Sequence, residues 1–475
     1  MELKKNRTVR VIWSVDVNGY SKEQAQQISE SNVDGVRIGY TASKRQDAVD
    51  FVSEITKNFG SLAKTPMLML DITPPARGKL VGFEDSIVLE SGSKVKILPD
   101  GTSGDADFFV QTSDWENLFK DAPTVYVGYG DAVLKPIKVS KSEVIAEVDN
   151  GGTVKLNSEL HVPGTRKAVN LNIEDLKFDE FRKLGVNALV IPGSISLENA
   201  KAIRAQFPSD EPSSPWLFYR IDSQDAYEKV EEMISFFDGV IISRRELALT
   251  ANPALVPILT KELIQLCRNR AKVTFVASEM LGSMKFNATP TRAEVSDIAN
   301  AVYDGADALM LSEELSEGKY AQKAYDVAQS IIIDLENSND KHEQNWMVGD
   351  VVIKDELDSV CINAMKTAKR VNAKAIVCIT KSGNTAVRLS SLNTEMPIMA
   401  VTFDEQTKRK LSILRGVEGL TLRVDPSIDE VLPEVNDLLK DRGQLKSGDR
   451  IVFVTVTLSS MSREASNLFT IQSIS

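Results

Sequence analysis

The sequence predicts an α/β chain: a (β/α)8 TIM barrel with an inserted β-barrel domain and a C-terminal α/β domain. Three observations carry this. Eight apolar runs of strand length alternate with helical patterns. The alternation is broken once, after the third run, by short strands of period two with Gly and Asp turns. A separate α/β rhythm follows a charged stretch near residue 340.

In order, Val9–Ser14 reads as a strand and Ser21–Ser29 as a polar helix. Val33–Ile38 is the second strand, Ser43–Lys57 a helix with apolar residues at helical spacing, and Met67–Asp71 the third strand. The rhythm stops at Thr73-Pro74-Pro75, because proline supplies no ladder donor. Val95–Leu98, Thr124–Val127, Val144–Val148 and Thr153–Leu156 are the short strands of the insert. Helix Ile173–Leu184 and strand Ala188–Ile191 resume the barrel. Trp216–Ile221, Gly239–Ile242, Val273–Ala277 and Ala308–Leu311 complete eight strands, which favours a closed barrel over an open sheet. The charged stretch Glu336–Glu343 leads to strands Ala375–Ile379, Ile398–Val401, Leu420–Val424 and Ile451–Val456. The domains expected are 1–73 with 168–337, then 74–167, then 338–475, with no internal repeat.

At 475 residues the chain is long enough for about three domains and a large core. With 56 Lys and Arg against 67 Asp and Glu, the net charge of −11 disfavours nonspecific nucleic acid and anionic membranes as partners. A phosphorylated ligand therefore requires a local basic pocket. Cys267, Cys361 and Cys378 lie in apolar patterns without metal-ligand spacing, as buried thiols in a reducing compartment do. No stretch reads as a signal peptide or membrane span, so the expected location is cytoplasmic.

The block Ala277–Ser316 holds a Pro290-Thr291-Arg292-Ala293-Glu294 turn, a helical run through Ala299–Val302, an Asp-Gly-Ala-Asp turn and an apolar strand. In this the chain resembles the pyruvate kinase family. Shorter matches stand in the same order: Val36-Arg37, Leu70-Asp71, Pro163-Gly164, Phe237-Asp238-Gly239-Val240 and Thr380-Lys381-Ser382-Gly383-Asn384-Thr385. The resemblance implies phosphoryl transfer from phosphoenolpyruvate to ADP, a chemistry of positioned cations and charge stabilisation.

Carried over position by position, the resemblance puts Arg220 where the family has a catalytic lysine, and Arg37 at the phosphate. An Arg for a Lys keeps the charge but changes bulk and geometry. Asp222 and Glu246 match the two Mg²⁺ carboxylates, each altered by one methylene. Ser278 stands for a threonine near the enolate, and Glu279 for a neutral amide. Arg245 replaces a glycine of the metal turn, which places a long cation to pair with Asp222 or Glu246 and fill the site, or else to point to solvent. Thr41 and Asp71 are the residues with suitable oxygens left at the K⁺ site, which is expected to be lost. Arg77 is the counterpart of a nucleotide-phosphate contact. Arg292, Glu294, Asp297 and Asn300 are read as residues of barrel structure, helix capping and subunit contact.

Thr380–Thr385 follows an apolar strand and opens a helix, as a phosphate-cradling loop does, with a Ser/Thr N-cap as the plainer reading. The resemblance implies a sugar-phosphate effector there, with Arg463 in a covering loop. The expectation is a weakly active or inactive regulatory or structural subunit of a homo- or heterotetramer, assembled with an active paralogue and carrying a weakened Mg²⁺ site. A divergent but active pyruvate kinase and a Mg²⁺-dependent lyase acting through a pyruvate enolate are the alternatives.

Overall fold

The computed structural model describes residues 7–17, 19–57, 65–73, 78–112, 115–120, 122–162, 177–338, 355–392, 396–422, 428–441, 445–456 and 467–474. Eight parallel strands close into a barrel: Arg10–Val15, Gly35–Tyr40, Met67–Ile72, Val186–Ile191, Trp216–Ile221, Gly239–Ser243, Val273–Ala277 and Ala308–Leu311. Closure is made by the first strand, where Trp13 stands level with Val36 on one side and Leu311 on the other. Alternate residues point in and out. Ile12, Met69, Val190, Phe218, Ile241, Phe275 and Met310 fill the interior, where Phe218 and Phe275 stack at 4.8 Å. The other parity, including Trp13, Val36 and Tyr219, packs outward against the helices.

At the base of the barrel the even-numbered strands share one device. Asp34, Asn187, Asp238 and Asp307 each stand at a strand start and accept a backbone N–H of the preceding odd strand. The donors are Val11 at 2.8 Å, Leu68 at 3.3 Å, Leu217 at 2.8 Å and Thr274 at 2.8 Å. Each local sequence reads apolar, Asx, small, apolar: Val33-Asp34-Gly35-Val36, Val186-Asn187-Ala188-Leu189, Phe237-Asp238-Gly239-Val240 and Ala306-Asp307-Ala308-Leu309. Insertions of unequal length separate the four, so no fixed period marks them in the chain.

The insert folds as a seven-stranded sheet with the extra pair Ser86–Leu89 and Gly152–Lys155. A bridge between Lys79 and Glu159 brings the sheet's end strands together, so it is nearly closed around its own apolar core. The expected insert strands are present, and five more were not read from sequence: Lys79–Val81, Ser86–Leu89, Phe108–Gln111, Ala132–Val139 and Leu160–His161. Those five are short or half-exposed, which leaves little periodicity to read. The expected domain boundaries at 73/74 and 167/168 touch segments outside the described residues, as does most of the link after Ser338.

The C-terminal sheet has the order Val417–Thr421, Ile398–Thr402, Ala375–Ile379, Arg450–Val456, Asn467–Ser473, the last strand antiparallel. The first of these begins three residues before the expected Leu420–Val424. Gly416, at φ 69°, releases the chain there and Val417 pairs directly with Ile398. This domain docks on the barrel base through polar anchors. Arg10 Nε donates to Leu414 O at 2.8 Å, Arg415 Nη1 to Val302 O at 2.9 Å, and Ser412 Oγ to Asp34 O at 2.7 Å. The buried Lys410 donates to Pro212 O and Ser214 O at 2.7 and 2.6 Å. All three cysteines are free and buried, and burial pushes the Cys267 and Cys361 thiols up to about 12. Among the described residues no helix is long and apolar enough to cross a membrane.

Candidate active site at the barrel mouth

The interior parity carries the site. Beyond Met67 and Met69 on strand three the next inward position is Asp71; beyond Trp216 and Phe218 on strand five it is Arg220, then Asp222. Strand two supplies Arg37 and strand one Ser14 by the same rule. At the C-terminal end of the strands these polar groups close on one another. Asp71, 2% exposed, sits between two guanidinium groups. Arg37 Nε reaches its Oδ2 at 2.7 Å and Arg220 Nη1 its Oδ1 at 2.8 Å. Arg37 also donates to Ser14 Oγ at 2.9 Å and pairs with Asp16. Arg220 Nε donates to Asp222 Oδ2 at 3.1 Å. Burial alone would lower both arginine pKa values, but the carboxylates reverse this and hold them above the ordinary range.

Gly193, in the turn after strand four, makes room for this array. A Cβ there would lie 2.5 Å from Arg220 O and 2.6 Å from Asp222 Oδ1. No periodicity points to it, although the Pro192-Gly193-Ser194 turn at a strand end is a signal of the right kind.

Glu246 opens the short helix Arg244–Ala248 after strand six, and Ser278 Oγ donates to its Oε2 at 3.3 Å. Burial pushes the Glu246 carboxyl above its ordinary range, with Asp222 adding to the shift and Arg220 and Arg37 opposing it. Ser278 and Glu279 are consecutive non-glycine residues in the left-handed region, at φ 73° and 55°. Such conformations cost about 1 kcal/mol or more each and persist where neighbours over-determine them. Arg244 does so: it donates to Ser278 O at 2.6 Å and Ala277 O at 3.3 Å, and pairs with Asp297 at 2.6 Å. Asp297 thereby ties the helix Arg292–Asp304 to the mouth, while Thr291 and Glu294 form that helix's capping box.

Arg245 takes neither of its expected places. Its Nη1 meets Glu313 Oε1 at 2.6 Å and its Nε lies 3.6 Å from Glu279. Its guanidinium carbon sits 3.9 Å above the ring of Tyr129, at the tip of the inserted domain. Asp222 instead faces Arg220. Glu313 also receives Lys285 at 3.0 Å, and although burial opposes it, these cations hold its carboxyl below the ordinary range.

Thr41 and Asp71 have different partners, since Thr41 Oγ1 faces Ser43 Oγ at 3.3 Å. Among the described residues no group of three or more His, Cys, Asp or Glu is arranged to hold a metal ion. In the C-terminal domain Thr380 Oγ1 accepts the Gly383 N–H at 3.0 Å, while the helix that follows has Gly383, at φ 101°, as its N-cap and no side-chain cap. Lys381 and Asn384 are exposed, and Ser382 and Thr385 are buried around the start of helix Asn384–Ser391. Arg77, Pro163, Gly164 and Arg463 lie outside the described residues.

A closed barrel with a β domain inserted after strand three, an α/β domain on its base and an arginine–carboxylate array at its mouth defines a capped (β/α)8 barrel protein with a charged site at the strand ends. Within that class, this chain belongs to the pyruvate kinase family. The model described as pyruvate kinase, barrel domain, matches residues 6–325, and that described as pyruvate kinase, alpha/beta domain, matches residues 358–471. The chain is 28% identical over 465 residues to a pyruvate kinase of Staphylococcus epidermidis, covering 94% of this chain and 77% of that one. It is 27% identical over 469 residues to a pyruvate kinase of Staphylococcus aureus strain MRSA252, with the same coverage.

Proposed function

We propose that this chain is a pyruvate kinase homologue with weak phosphoryl transfer of its own, serving as a regulatory or structural subunit beside an active paralogue. One observation carries this reading: Arg220 is bound to Asp222 and Asp71 rather than left for a ligand. The family reaction needs a cation aimed at the transferring phosphoryl group of phosphoenolpyruvate and two carboxylates for Mg²⁺. A guanidinium fixed in a fork to two carboxylates is less available to the first and competes for the second.

Asp222 and Glu246 are the residues that would hold Mg²⁺, which when bound would neutralise charge between substrate and nucleotide phosphates. The chain's own groups would bind and orient the substrate through Arg37 and Arg220, and Ser278 would hold a proton at its hydroxyl. Asp71, flanked by two guanidinium groups, already has cationic partners where the K⁺ site would stand, which supports the loss of that site. Exposed Phe286 ahead of helix Arg292–Asp304 and Val295 on its first turn, with Leu468 and Ile471 on the edge strand, support a tetramer. A sugar-phosphate effector at Lys381 and Asn384, the domain division given above and a cytoplasmic location complete the proposal; the buried free thiols fit a reducing compartment.

A second reading, a divergent but active pyruvate kinase, is favoured by charge. Asp16, Asp71, Asp222 and Glu246 gather around Arg37 and Arg220, an acidic surplus that favours a divalent cation. The test is pyruvate formation by the purified chain from phosphoenolpyruvate, ADP and Mg²⁺, alone and mixed with an active paralogue. Turnover of about 10 s⁻¹ or more by the chain alone selects the second reading. Slow turnover alone, with altered kinetics of the mixed tetramer, supports the first.

A further inference from the structure

Arg245, Glu279 and Glu313 come from three separate strand ends, those of strands six, seven and eight, and no spacing in the chain connects them. In the structure they are one object. Arg245 is held by Glu313 at 2.6 Å and approached by Glu279 at 3.6 Å, and Lys285 steadies Glu313 from its other oxygen at 3.0 Å. This cluster presents the guanidinium face to the inserted domain, where Tyr129 covers it at 3.9 Å. Tyr129 stands in the turn between Val125–Val127 and Ala132–Val139, flanked by Gly128 and Gly130 at φ 59° and 96°. Those glycines let the turn project its ring. His161 backs the ring at 5.8 Å. Tyr129 itself is 43% exposed, so its ring meets the guanidinium as a partly solvated partner.

We propose that Arg245 and Tyr129 form a clasp that holds the inserted domain closed over the barrel mouth without any ligand. The barrel supplies a pre-positioned cation and the cap supplies the aromatic face. Arginine on a tyrosine ring keeps its attraction when partly desolvated, and Arg245 is only 28% exposed. A guanidinium already oriented by two carboxylates loses little further freedom on stacking. Opening of the cap therefore requires the ring to lift from the guanidinium, which makes Arg245 a positioning residue for the cap.

The test reads cap position directly and needs no activity. Because all three native cysteines are buried, spin labels are placed selectively on S142C in the cap and E198C on barrel helix Leu197–Gln206, both exposed positions. Double electron–electron resonance then gives the cap–barrel distance distribution of the full ligand-free chain. The clasp predicts one dominant short distance. Tyr129→Phe keeps it, because the ring face remains. Tyr129→Ala and Arg245→Gly each shift population to longer distances, lowering the closed-to-open ratio about tenfold, equivalent to ~1.4 kcal/mol. Melting temperatures within a few degrees of wild type confirm that both variants fold. An unchanged distribution in folded Tyr129→Ala and Arg245→Gly overturns the clasp. So does a broad open distribution in the wild type. Neither result touches the proposal of weak turnover, which rests on Arg220.

Discussion

Arg220 and Asp222 lie two residues apart at the inward-facing end of one barrel strand, and Arg220 Nε donates to Asp222 Oδ2 at 3.1 Å. The same guanidinium reaches Asp71 at 2.8 Å, and Arg37 holds Asp71 from the other side. The altered residues at this mouth are therefore not a set of isolated losses. They form two bonded assemblies, one around Asp71 and one around Arg245.

Potassium is the first consequence. Asp71 is paired with two fixed cations, so a monovalent ion would bring no charge that is missing. Whatever pyruvate-forming activity the chain has is expected to change less than twofold when K⁺ is replaced by tetramethylammonium at constant ionic strength. A dependence of tenfold or more would show that the array opens to admit the ion.

Coupling between Arg245 and Glu313 is the second. Arg245→Glu and Glu313→Arg should each destabilise the chain by about 1 kcal/mol through like charges at the mouth, while the double exchange restores most of the loss. Urea midpoints of the four proteins give the coupling energy, expected at about 0.5–2 kcal/mol for a partly exposed pair. Strict additivity would mean the contact is incidental.

The docked C-terminal domain predicts a pH effect. Burial pushes Lys410 down to about 8 from its ordinary 10.5. Between those values the unfolded chain holds a proton that the folded chain has released. Stability contributed by this group therefore rises with pH across about 8 to 10.5, and the burial penalty is fully present below 8. Wild type should show a steeper rise of urea midpoint over that window than Lys410→Met, in which the titrating group is absent. Parallel pH profiles would place the Lys410 pKa near that of an ordinary lysine.

Gly383 links the effector-type loop to the barrel. It adopts φ 101°, and a Cβ there would lie 2.7 Å from the ring of Trp216, the first residue of the strand that carries Arg220. Gly383→Ala is expected to cost about 2 kcal/mol or more in unfolding free energy. Thr380→Ala, which removes the acceptor of the Gly383 N–H and a buried methyl without adding bulk, should cost ~1 kcal/mol. Equal effects of the two would show that Trp216 yields freely to the added methyl.

Sequence made the barrel legible because buried parallel strands read as continuous apolar runs, and all eight fall where those runs stand. Short strands such as Lys79–Val81 and Leu160–His161 were not legible, since two or three half-exposed residues have no measurable period. At the mouth, Arg37, Asp71, Arg220 and Asp222 can be placed together by inward parity alone. Their bonding cannot, because which carboxylate an arginine chooses depends on the tilt of neighbouring strands. The partners of Arg245 were further out of reach: Glu313 is 68 residues away along the chain, and Tyr129 belongs to another domain.

Turnover with phosphoenolpyruvate, ADP and Mg²⁺, compared between wild type and Arg220→Lys, tests the central claim most directly. Lysine is a point cation without the fork that binds Asp71 and Asp222 together, so it should release Asp222 and restore a cation to the substrate. The account predicts wild-type turnover well under about 10 s⁻¹ and an increase of about tenfold or more, ~1.4 kcal/mol of barrier, in Arg220→Lys. A wild type at or above about 10 s⁻¹ that loses activity on the change to lysine would contradict it.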